Sequence, residues 1–442
     1  MLVAKALVLL SSVPLFVLAQ ASGAAGPSPV AAAAPAAATR TANIAPANPA
    51  PQVAGAFPSM PAGMKMVDAA KNYPNMPTSW PDPDEAKGPI SLPALLSAPL
   101  VQAGVAKVTG IVSPTLLSVK PSIRIGYQSE VTYQDDPTLN CYWPSVQCHK
   151  PVTQTPYLQP DVVSCIDANT LGLPTQGNQT TMALGQKLKG MNLAATFFVT
   201  GGASYFNPDA LQALFAEGHE IAVHTWTHAP MTSLTTEQIV AEILYTEAFI
   251  YALIGQRPRY FRPPYGDVDD RVRAIVGALG YESVMWQEAK DLQDQSATAA
   301  SSPASSFVAT FNSWMTPQPG YIDLEHSLLA PVNGFAAAIL DDFAARKAAG
   351  LFVPNALPVG QCQKKSSYVP LGYVLGSADG ATTSSSGAAP GVTGTAGASS
   401  PKASAMPTRA PSVDNAAGPA SAASSVVGLL AAAAVLSAGL IL

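Results

Sequence analysis

The sequence predicts one α/β domain in which parallel strands alternate with helices, with long tails on both sides. Between about 158 and 352, short apolar runs alternate with helical stretches of about 10–20 residues, which is typical of parallel β/α folds. Only 7% of the 442 residues are aromatic, enough for one sizeable core, and the 41 prolines indicate long irregular segments. A net charge of −5 argues against the basic surface expected of a nucleic-acid binder.

The strands are predicted from apolar runs and the helices from their capping residues. Asn207-Pro208 begins a helix that ends at Gly218, because a cap residue followed by proline is a typical helix start. Thr235 and Gln238 form a capping box for a long helix that ends at Gly255. The predicted strands are 162–166, 193–199, 219–223, 260–261, 283–286 and 321–325. The other predicted helices are 180–189, 270 to about 280, and a last one that ends at 350.

Both ends of the chain carry targeting patterns. Residues 1–19 combine a positive start, an apolar run and a small-residue cleavage site, which predicts a secretory signal peptide rather than a membrane anchor. Residues 426–442 form an apolar tail behind a weakly polar spacer, which predicts glycosylphosphatidylinositol (GPI) attachment at Asn415 rather than a transmembrane tail. Alternative attachment residues are Gly418 and Ser421. We therefore expect a secreted protein, GPI-anchored to the outer face of the plasma membrane and the cell wall.

Composition divides the chain into segments. The Ala/Pro-rich and Ser/Ala-rich segments contain too few large apolar side chains to offset the cost of ordering their backbone. The one N-glycosylation sequon is at Asn178. The predicted segments are a signal peptide (1–19), an Ala/Pro-rich disordered segment (20–63), an N-terminal extension with a cysteine pair (64–154), the α/β domain (155–355), a Ser/Ala-rich stalk (377–415) and a propeptide removed on anchoring (416–442).

Four cysteines in a chain predicted to be secreted indicate disulfides. Cys141 and Cys148 bracket a short loop and can pair with each other, which leaves Cys165 and Cys362 as the remaining pair. Four cysteines allow three connectivities, and the sequence does not choose among them.

Three of the five histidines lie at the ends of predicted strands. His224 and His228 follow one strand in the string HTWTH, and their spacing places two imidazoles on one side of a turn, as a shared metal ion requires. Arg262 follows the next strand in a stiff RPPYGD loop, and His326 ends the last strand. Taken alone, these features are also explained by a chance pair, a rigid turn and a core histidine. Because reactive residues gather at the carboxyl ends of parallel strands, we expect them to form one site.

The order of HTWTH, RPPYGDVDDRV and LEH resembles the polysaccharide deacetylases of carbohydrate esterase family four, or NodB homology domains. Fungal chitin deacetylases with a lipid anchor are especially similar. The resemblance covers about 155–355 and implies a distorted (β/α) barrel. It also implies a divalent metal, zinc or cobalt, held by one Asp and two His. The implied reaction is hydrolysis of the N-acetyl groups of chitin, an N-acetylglucosamine polymer, to give chitosan and acetate at the fungal cell wall.

Carried over position by position, the resemblance implies a role for each motif residue. His224 and His228 are the implied metal ligands, and His326 is the implied general acid. Arg262 matches the residue that positions the catalytic base, and Tyr265 matches the residue whose backbone N–H helps to hold the oxyanion. The implied substrate contacts are Tyr265, Trp226 and Leu324, and a fungal disulfide pair is matched by Cys141 and Cys148.

The first family motif ends its strand with two adjacent aspartates, a base and then a metal ligand. Here the segment VVSCIDANTLG contains only Asp167. One alignment places Ile166 on the base and Asp167 on the ligand, and a shift by one places Asp167 on the base and Ala168 on the ligand. We prefer Asp167 as the ligand, because Ala168 then falls on a small glycine position. In either alignment one carboxylate is missing.

The fourth family motif carries an aspartate that tunes the acid histidine, and Asp291 in MWQEAKDLQDQ is the matching candidate. With a motif carboxylate missing, the sequence leaves two main functions open. The first is an active, metal-dependent chitin deacetylase, and the second is a catalytically weak or inactive homologue that binds chitin in the cell wall. A deacetylase for another acetylated sugar, such as xylan, is a third alternative. The expected partners are therefore chitin or another cell-wall polysaccharide and, through the lipid anchor, the plasma membrane, without nucleic acid.

Overall fold

The computed structural model describes residues 60–61, 64–125, 130–150, 153–177, 181–294, 303–327 and 330–375. The predicted signal peptide, stalk and propeptide lie outside these residues, as do the sequon at Asn178, the attachment residue Asn415 and nearly all of the segment 20–63. Within the described part of the chain, no helix has both the length and the apolar composition needed to cross a membrane.

The longest helices begin and end where capping residues predict. Thr235 and Gln238 form the predicted capping box, and Gly255 ends the same helix with a left-handed φ of 67°. The helices are α1 (Pro93–Leu96), α2 (Pro99–Ile111), α3 (Pro114–Leu117), α4 (Trp143–Val146), α5 (Thr181–Gly190), α6 (Gly201–Phe206), α7 (Pro208–Ala216), α8 (Thr236–Ile254), α9 (Asp270–Leu279), α10 (Ala304–Trp314), α11 (Ala330–Ala348) and α12 (Val359–Cys362). Short 3₁₀ helices occupy Asp68–Asn72, Glu85–Lys87, Met231–Ser233, Pro264–Gly266 and Glu288–Lys290.

The strands are short, and those of the α/β domain alternate with helices. They are β1 (Ile123–Arg124), β2 (Val131–Thr132), β3 (Thr170–Gly172), β4 (Pro174–Gly177), β5 (Thr196–Val199), β6 (Glu220–Val223), β7 (Arg257–Pro258), β8 (Tyr260–Phe261), β9 (Glu282–Ser283), β10 (Tyr321–Ile322), β11 (His326–Ser327), β12 (Asn355–Leu357) and β13 (Tyr368–Val369). β1 with β2, and β7 with β13, form separate antiparallel pairs.

Six strands form one parallel sheet in the order β11-β4-β5-β6-β8-β9, and β3 lies in parallel between β10 and β12. The chain that follows β9 then reaches the segment that carries β10 and β11. The N–H of Gln287 donates to the carbonyl oxygen of Ile322 at 3.1 Å, and Asp291 forms a parallel bridge with Leu324. These bonds bring the two edges of the sheet together, so the predicted α/β class and distorted barrel are confirmed.

The prediction of a first strand at 162–166 is wrong. Only Val162 pairs there, in a single bridge to Val284, and the chain enters the central sheet later, through β3 and β4. Pro174 is the first residue of β4. Its missing N–H is tolerated there because the chain passes at this point from the sheet that contains β3 to the sheet that contains β4. The adjacent Leu173 donates its N–H to β12 and accepts from β5 through its carbonyl oxygen, both at 2.8 Å.

The N-terminal extension packs against the helices behind the HTWTH loop. A side chain at Gly104 of α2 would collide with Leu244 and Val240 of α8, so the two helices require glycine at this close approach. Trp80 stacks on Trp226 with ring centroids 5.9 Å apart, and both indoles are fully buried. The extension therefore supports the loop that follows β6.

Two disulfides are present, Cys141–Cys148 and Cys165–Cys362, with sequence separations of 7 and 197. Replacing Cys165 and Cys362 by alanine is expected to lower the free energy of unfolding by about 2–5 kcal/mol, because the unfolded chain regains the freedom of a long loop. The matched control replaces Cys141 and Cys148 by alanine, opens a short loop and is expected to cost less. Denaturant unfolding measures both variants, and a larger loss from the short loop would contradict this explanation.

Candidate functional site

The carboxyl ends of neighbouring strands carry the polar residues of the site. His224 follows β6 directly, and its N–H donates to the carbonyl oxygen of Val199 in β5 at 3.0 Å. Arg262 follows β8, and its N–H donates to the carbonyl oxygen of Val223 at 3.0 Å. His326 begins β11, which pairs with the end of β4. All three residues therefore lie at the same end of the sheet, level with the carboxyl ends of β4, β6 and β8.

His224 and His228 form a close imidazole pair. The Nδ1–H of His224 donates to the carbonyl oxygen of Arg262 at 2.6 Å, which leaves the lone pair on its Nε2. That nitrogen is 3.1 Å from Nε2 of His228. Burial lowers the pKa of both imidazoles, that of His228 to about 4, so both are neutral near pH 7. Two neutral imidazole nitrogens at this distance can serve as two ligands of one metal ion.

A buried carboxylate holds the strained loop that carries these histidines. Thr225 and His228 have φ values of 70° and 56°, in the left-handed region that residues with a Cβ rarely adopt. Glu242 of α8 accepts hydrogen bonds from the N–H groups of Trp226 and Thr227 at 2.9 and 2.8 Å, and from the Thr227 hydroxyl at 2.7 Å. Glu242 thereby positions the imidazole pair. Glu242 is not among the site residues predicted from the sequence, although a glutamate in an apolar helix is typical of a buried, hydrogen-bonded acid.

His326 is oriented by Asp294, not by the predicted Asp291. Oδ1 of Asp294 lies 2.7 Å from Nδ1 of His326, and Oδ2 accepts the backbone N–H of the same histidine at 3.0 Å. Asp291 instead accepts the N–H of Gln293 at 2.8 Å and pairs with Leu324 through its backbone. Gln293 has a φ of 52°, so the chain turns between the two aspartates, and their sequence spacing does not reveal which one faces the histidine.

Asp167, the predicted metal ligand, lies at the opposite end of the sheet. It precedes β3, and its backbone carbonyl lies against Gly320, which precedes β10. Both positions are at the amino ends of parallel strands, whereas His224 follows a carboxyl end. The Asp167 side chain is 61% exposed, and its Oδ1 lies 2.7 Å from Nζ of Lys364. The assignment of Asp167 as a ligand or base is therefore wrong.

The donors present do not match the implied set of one aspartate and two histidines. His224 and His228 supply two nitrogens, and Asp167 supplies no oxygen. Among the residues that the structure describes, no three His, Cys, Asp or Glu side chains are grouped as metal ligands. We therefore assign no chemical step to zinc or cobalt.

Arg262 is fully buried beside the site and has unused hydrogen-bond donors. Its guanidinium carbon lies 4.7 Å from the ring centroid of Phe198 and 5.7 Å from that of Trp286. Within the described ranges, Nε and Nη1 have no hydrogen-bond partner, and neither do the carboxyl oxygens of nearby Asp323. Burial lowers the pKa of Arg262 to about 9 and raises that of Asp323 to about 8. The guanidinium therefore stays charged at neutral pH without a bonded carboxylate.

The three predicted substrate contacts differ in accessibility. Tyr265 is 37% exposed, and its ring meets the His228 ring edge-on at 4.6 Å, so it lies at the mouth of the site. Trp226 is fully buried and donates its indole N–H to a backbone carbonyl of the N-terminal extension at 2.9 Å. Leu324 is also buried. The structure thus corrects the assignments of Trp226 and Leu324, since covered side chains offer a polymer no contact surface.

Comparison with known proteins finds one matching family model and several similar proteins. Residues 158–284 match the family model described as polysaccharide deacetylase. Chitin deacetylase 1 of Cryptococcus neoformans var. grubii is 32% identical over 241 residues, which cover 51% of this chain and 47% of that protein. Chitin deacetylase 1 of Saccharomyces cerevisiae is 34% identical over 171 residues, which cover 38% of this chain and 55% of that protein. The chain thus spans about half the length of these curated relatives.

Two solved structures are similar at lower identity. The chitin deacetylase of Colletotrichum lindemuthianum has a TM-score of 0.40 and 23% identity, over 47% of this chain and 95% of that protein. BA3943 of Bacillus anthracis, described as a pseudoenzyme of carbohydrate esterase family four, has a TM-score of 0.38 and 22% identity, over 45% of this chain and 66% of that protein.

Proposed function

Since residues 158–284 form a polysaccharide deacetylase domain, we propose that the chain hydrolyses N-acetyl groups of chitin, or of another N-acetylglucosamine polymer, at a low rate. The products are acetate and the free amine of chitosan. The named activity of the curated relatives supports this substrate class. The low rate follows from the composition of the site, which retains a candidate proton donor but not the predicted carboxylate.

One observation carries this proposal. His326 is paired with buried Asp294 at the same end of the sheet as the imidazole pair of His224 and His228. In amide hydrolysis, water adds to the acyl carbon and the amine must gain a proton as the C–N bond breaks. An imidazolium held by a carboxylate is suited to donate that proton. Exposed Tyr265 lies at the mouth of the same site, where a polymer can approach.

A second candidate function is binding of chitin without hydrolysis. The observation that favours it is the position of Asp167, which leaves the only predicted base or ligand carboxylate at the far end of the sheet. Loss of a positioned base costs about 10²–10⁴ in rate. Such a loss reduces turnover without removing the surface around Tyr265.

Acetate release from chitin oligomers by the secreted protein distinguishes these functions. We expect acetate above the level of a protein-free control. The Asp167→Ala variant is expected to release acetate at the wild-type rate, because its carboxylate pairs with Lys364 far from the histidines. Saturable oligomer binding without acetate would contradict hydrolysis and support the second function. Absence of both would contradict both.

We also propose that the protein is secreted and GPI-anchored at the plasma membrane and cell wall. The targeting patterns of residues 1–19 and 426–442 support this location. The two disulfides support passage through an oxidising compartment. Release of the protein from membranes by a phosphatidylinositol-specific phospholipase is the expected result, and retention after treatment would contradict the lipid anchor.

A further inference from the structure

We infer that Gln176 and Gly177, at the carboxyl end of β4, occupy the two aspartate positions of the first family motif, so this site has lost both motif carboxylates. The inference rests on the proposed function, because it concerns the same site. In the family motif a base precedes a metal ligand at the end of a strand. Gln176 and Gly177 are the last two residues of β4, whereas Asp167 precedes β3.

Strand register places these two positions between the candidate acid and the imidazole pair. Gln176 pairs with His326 of β11, and Gly177 pairs with Val199 of β5. Val199 is also the residue whose carbonyl oxygen accepts the N–H of His224. Neighbouring strands lie about 4.8 Å apart, so β4 crosses the site between His326 on one side and the strands that lead to His224 on the other.

The state of Arg262 supports the same assignment independently. The family resemblance implies that this arginine positions the base. Here Arg262 is fully buried, yet Nε and Nη1 find no hydrogen-bond partner in the described part of the chain. Buried guanidinium donors are normally satisfied, and a carboxylate is their most favourable partner. The guanidinium lies 4.7 Å from the ring centroid of Phe198, which is the register partner of Gln176. Its unused donors are therefore the expected consequence of losing a carboxylate at position 176.

The chemical consequences differ at the two positions. A glycine at 177 supplies no side-chain ligand, so a metal ion would have only the two imidazole nitrogens of His224 and His228. A glutamine at 176 does not accept a proton at neutral pH. During hydrolysis the C–O bond forms as one proton leaves the attacking water, and the C–N bond breaks as another proton reaches the amine. His326 can supply the second proton, but no motif carboxylate receives the first.

Zinc binding by the full secreted protein tests the ligand position. Competition with a chromophoric chelator is expected to give Gly177→Asp a zinc affinity more than about tenfold above the wild type, since even outer-shell partners change metal affinity by 10–100-fold. Gly177→Asn is the matched control, with a similar volume and no charge, and is expected to bind zinc as the wild type does. Equal affinities for the Asp and Asn variants would overturn the assignment. So would tight one-to-one zinc binding by the wild type that Asp167→Ala removes.

Acetate release tests the base position. In the presence of zinc, Gln176→Asp combined with Gly177→Asp is expected to release acetate about 10²–10⁴-fold faster than Gly177→Asp alone, because the added carboxylate accepts the water proton. Gln176→Asn in the Gly177→Asp background is the matched control and is expected to give no gain. Tighter zinc binding without acetate from any variant would contradict the deacetylase proposal but support the assignment of position 177. Acetate release that is the same for Asp and Asn at 176 would overturn its assignment as the base position.

Discussion

Replacing His326 by alanine is expected to lower the rate of acetate release from chitin oligomers by about 10²–10⁴, the usual contribution of a positioned acid or base. The reason is the geometry of the pair: Asp294 lies 2.7 Å from Nδ1 of His326, which directs the other ring nitrogen away from this carboxylate. Because the imidazole acts during bond cleavage, kcat is expected to fall and KM to change little. Steady-state kinetics with the purified protein measures both constants.

Two further variants test which aspartate orients His326: Asp294, as in the structure, or Asp291, as predicted from the sequence. Asp294→Asn is expected to lower kcat, since the neutral amide no longer stabilises the imidazolium. Asp291→Asn is the matched control and is expected to have a smaller effect, because the Asp291 carboxylate accepts the Gln293 N–H whereas the hydrogen bonds of His326 go to Asp294. A larger loss from Asp291→Asn than from Asp294→Asn would reverse this assignment. An unchanged kcat for His326→Ala would remove the histidine from the reaction.

Replacing Glu242 by alanine is expected to lower the free energy of unfolding by about 3 kcal/mol or more. Its carboxylate accepts from the N–H groups of Trp226 and Thr227, from the Thr227 hydroxyl, and from the N–H of Ile90 at 3.0 Å. Hydrogen bonds to a charged group contribute about 1.5–3 kcal/mol each, and buried donors left without an acceptor carry a further cost. Urea unfolding followed by fluorescence measures the change.

Glu237→Ala is the matched control for this variant, since Glu237 lies on the same helix and is exposed. Exposed substitutions usually change stability by no more than about 0.5 kcal/mol. Glu242→Gln is expected to give an intermediate loss, because an amide keeps only one of the two acceptor oxygens. Equal stability for Glu242→Ala and Glu237→Ala would contradict the role of Glu242 in holding the loop.

Local signals in the sequence predicted much of the fold. The capping box at Thr235 and the glycine at 255 define α8 because both act within one helical turn. The apolar run before His224 is β6, and the run before Arg262 is β8, as predicted. These elements could be found from the sequence because their residues need no distant partner to reveal them.

The errors in the predicted site arise where pairing between distant segments decides the structure. The run 162–166 is apolar enough for a strand, but only Val162 finds a partner. The segment that forms β3 and β4 contains glycine and proline, which normally argue against a central strand. Trp226 has an aromatic side chain of the type that can bind a sugar, yet Trp80 of the N-terminal extension stacks on it and covers it. None of these outcomes is visible in a window of a few residues.

By itself, the sequence determined which residues carry reactive groups and which element ends hold His224, Arg262 and His326, because caps, turns and apolar runs act over short distances. Only the tertiary structure decided which of these ends meet. Because β4 pairs with β5 and β11, the two positions of the first motif lie at the end of β4 and not at Asp167. The turn between Asp291 and Asp294 brings Asp294 to His326. The physical reason is that strand register depends on hydrogen bonds between segments far apart in the chain.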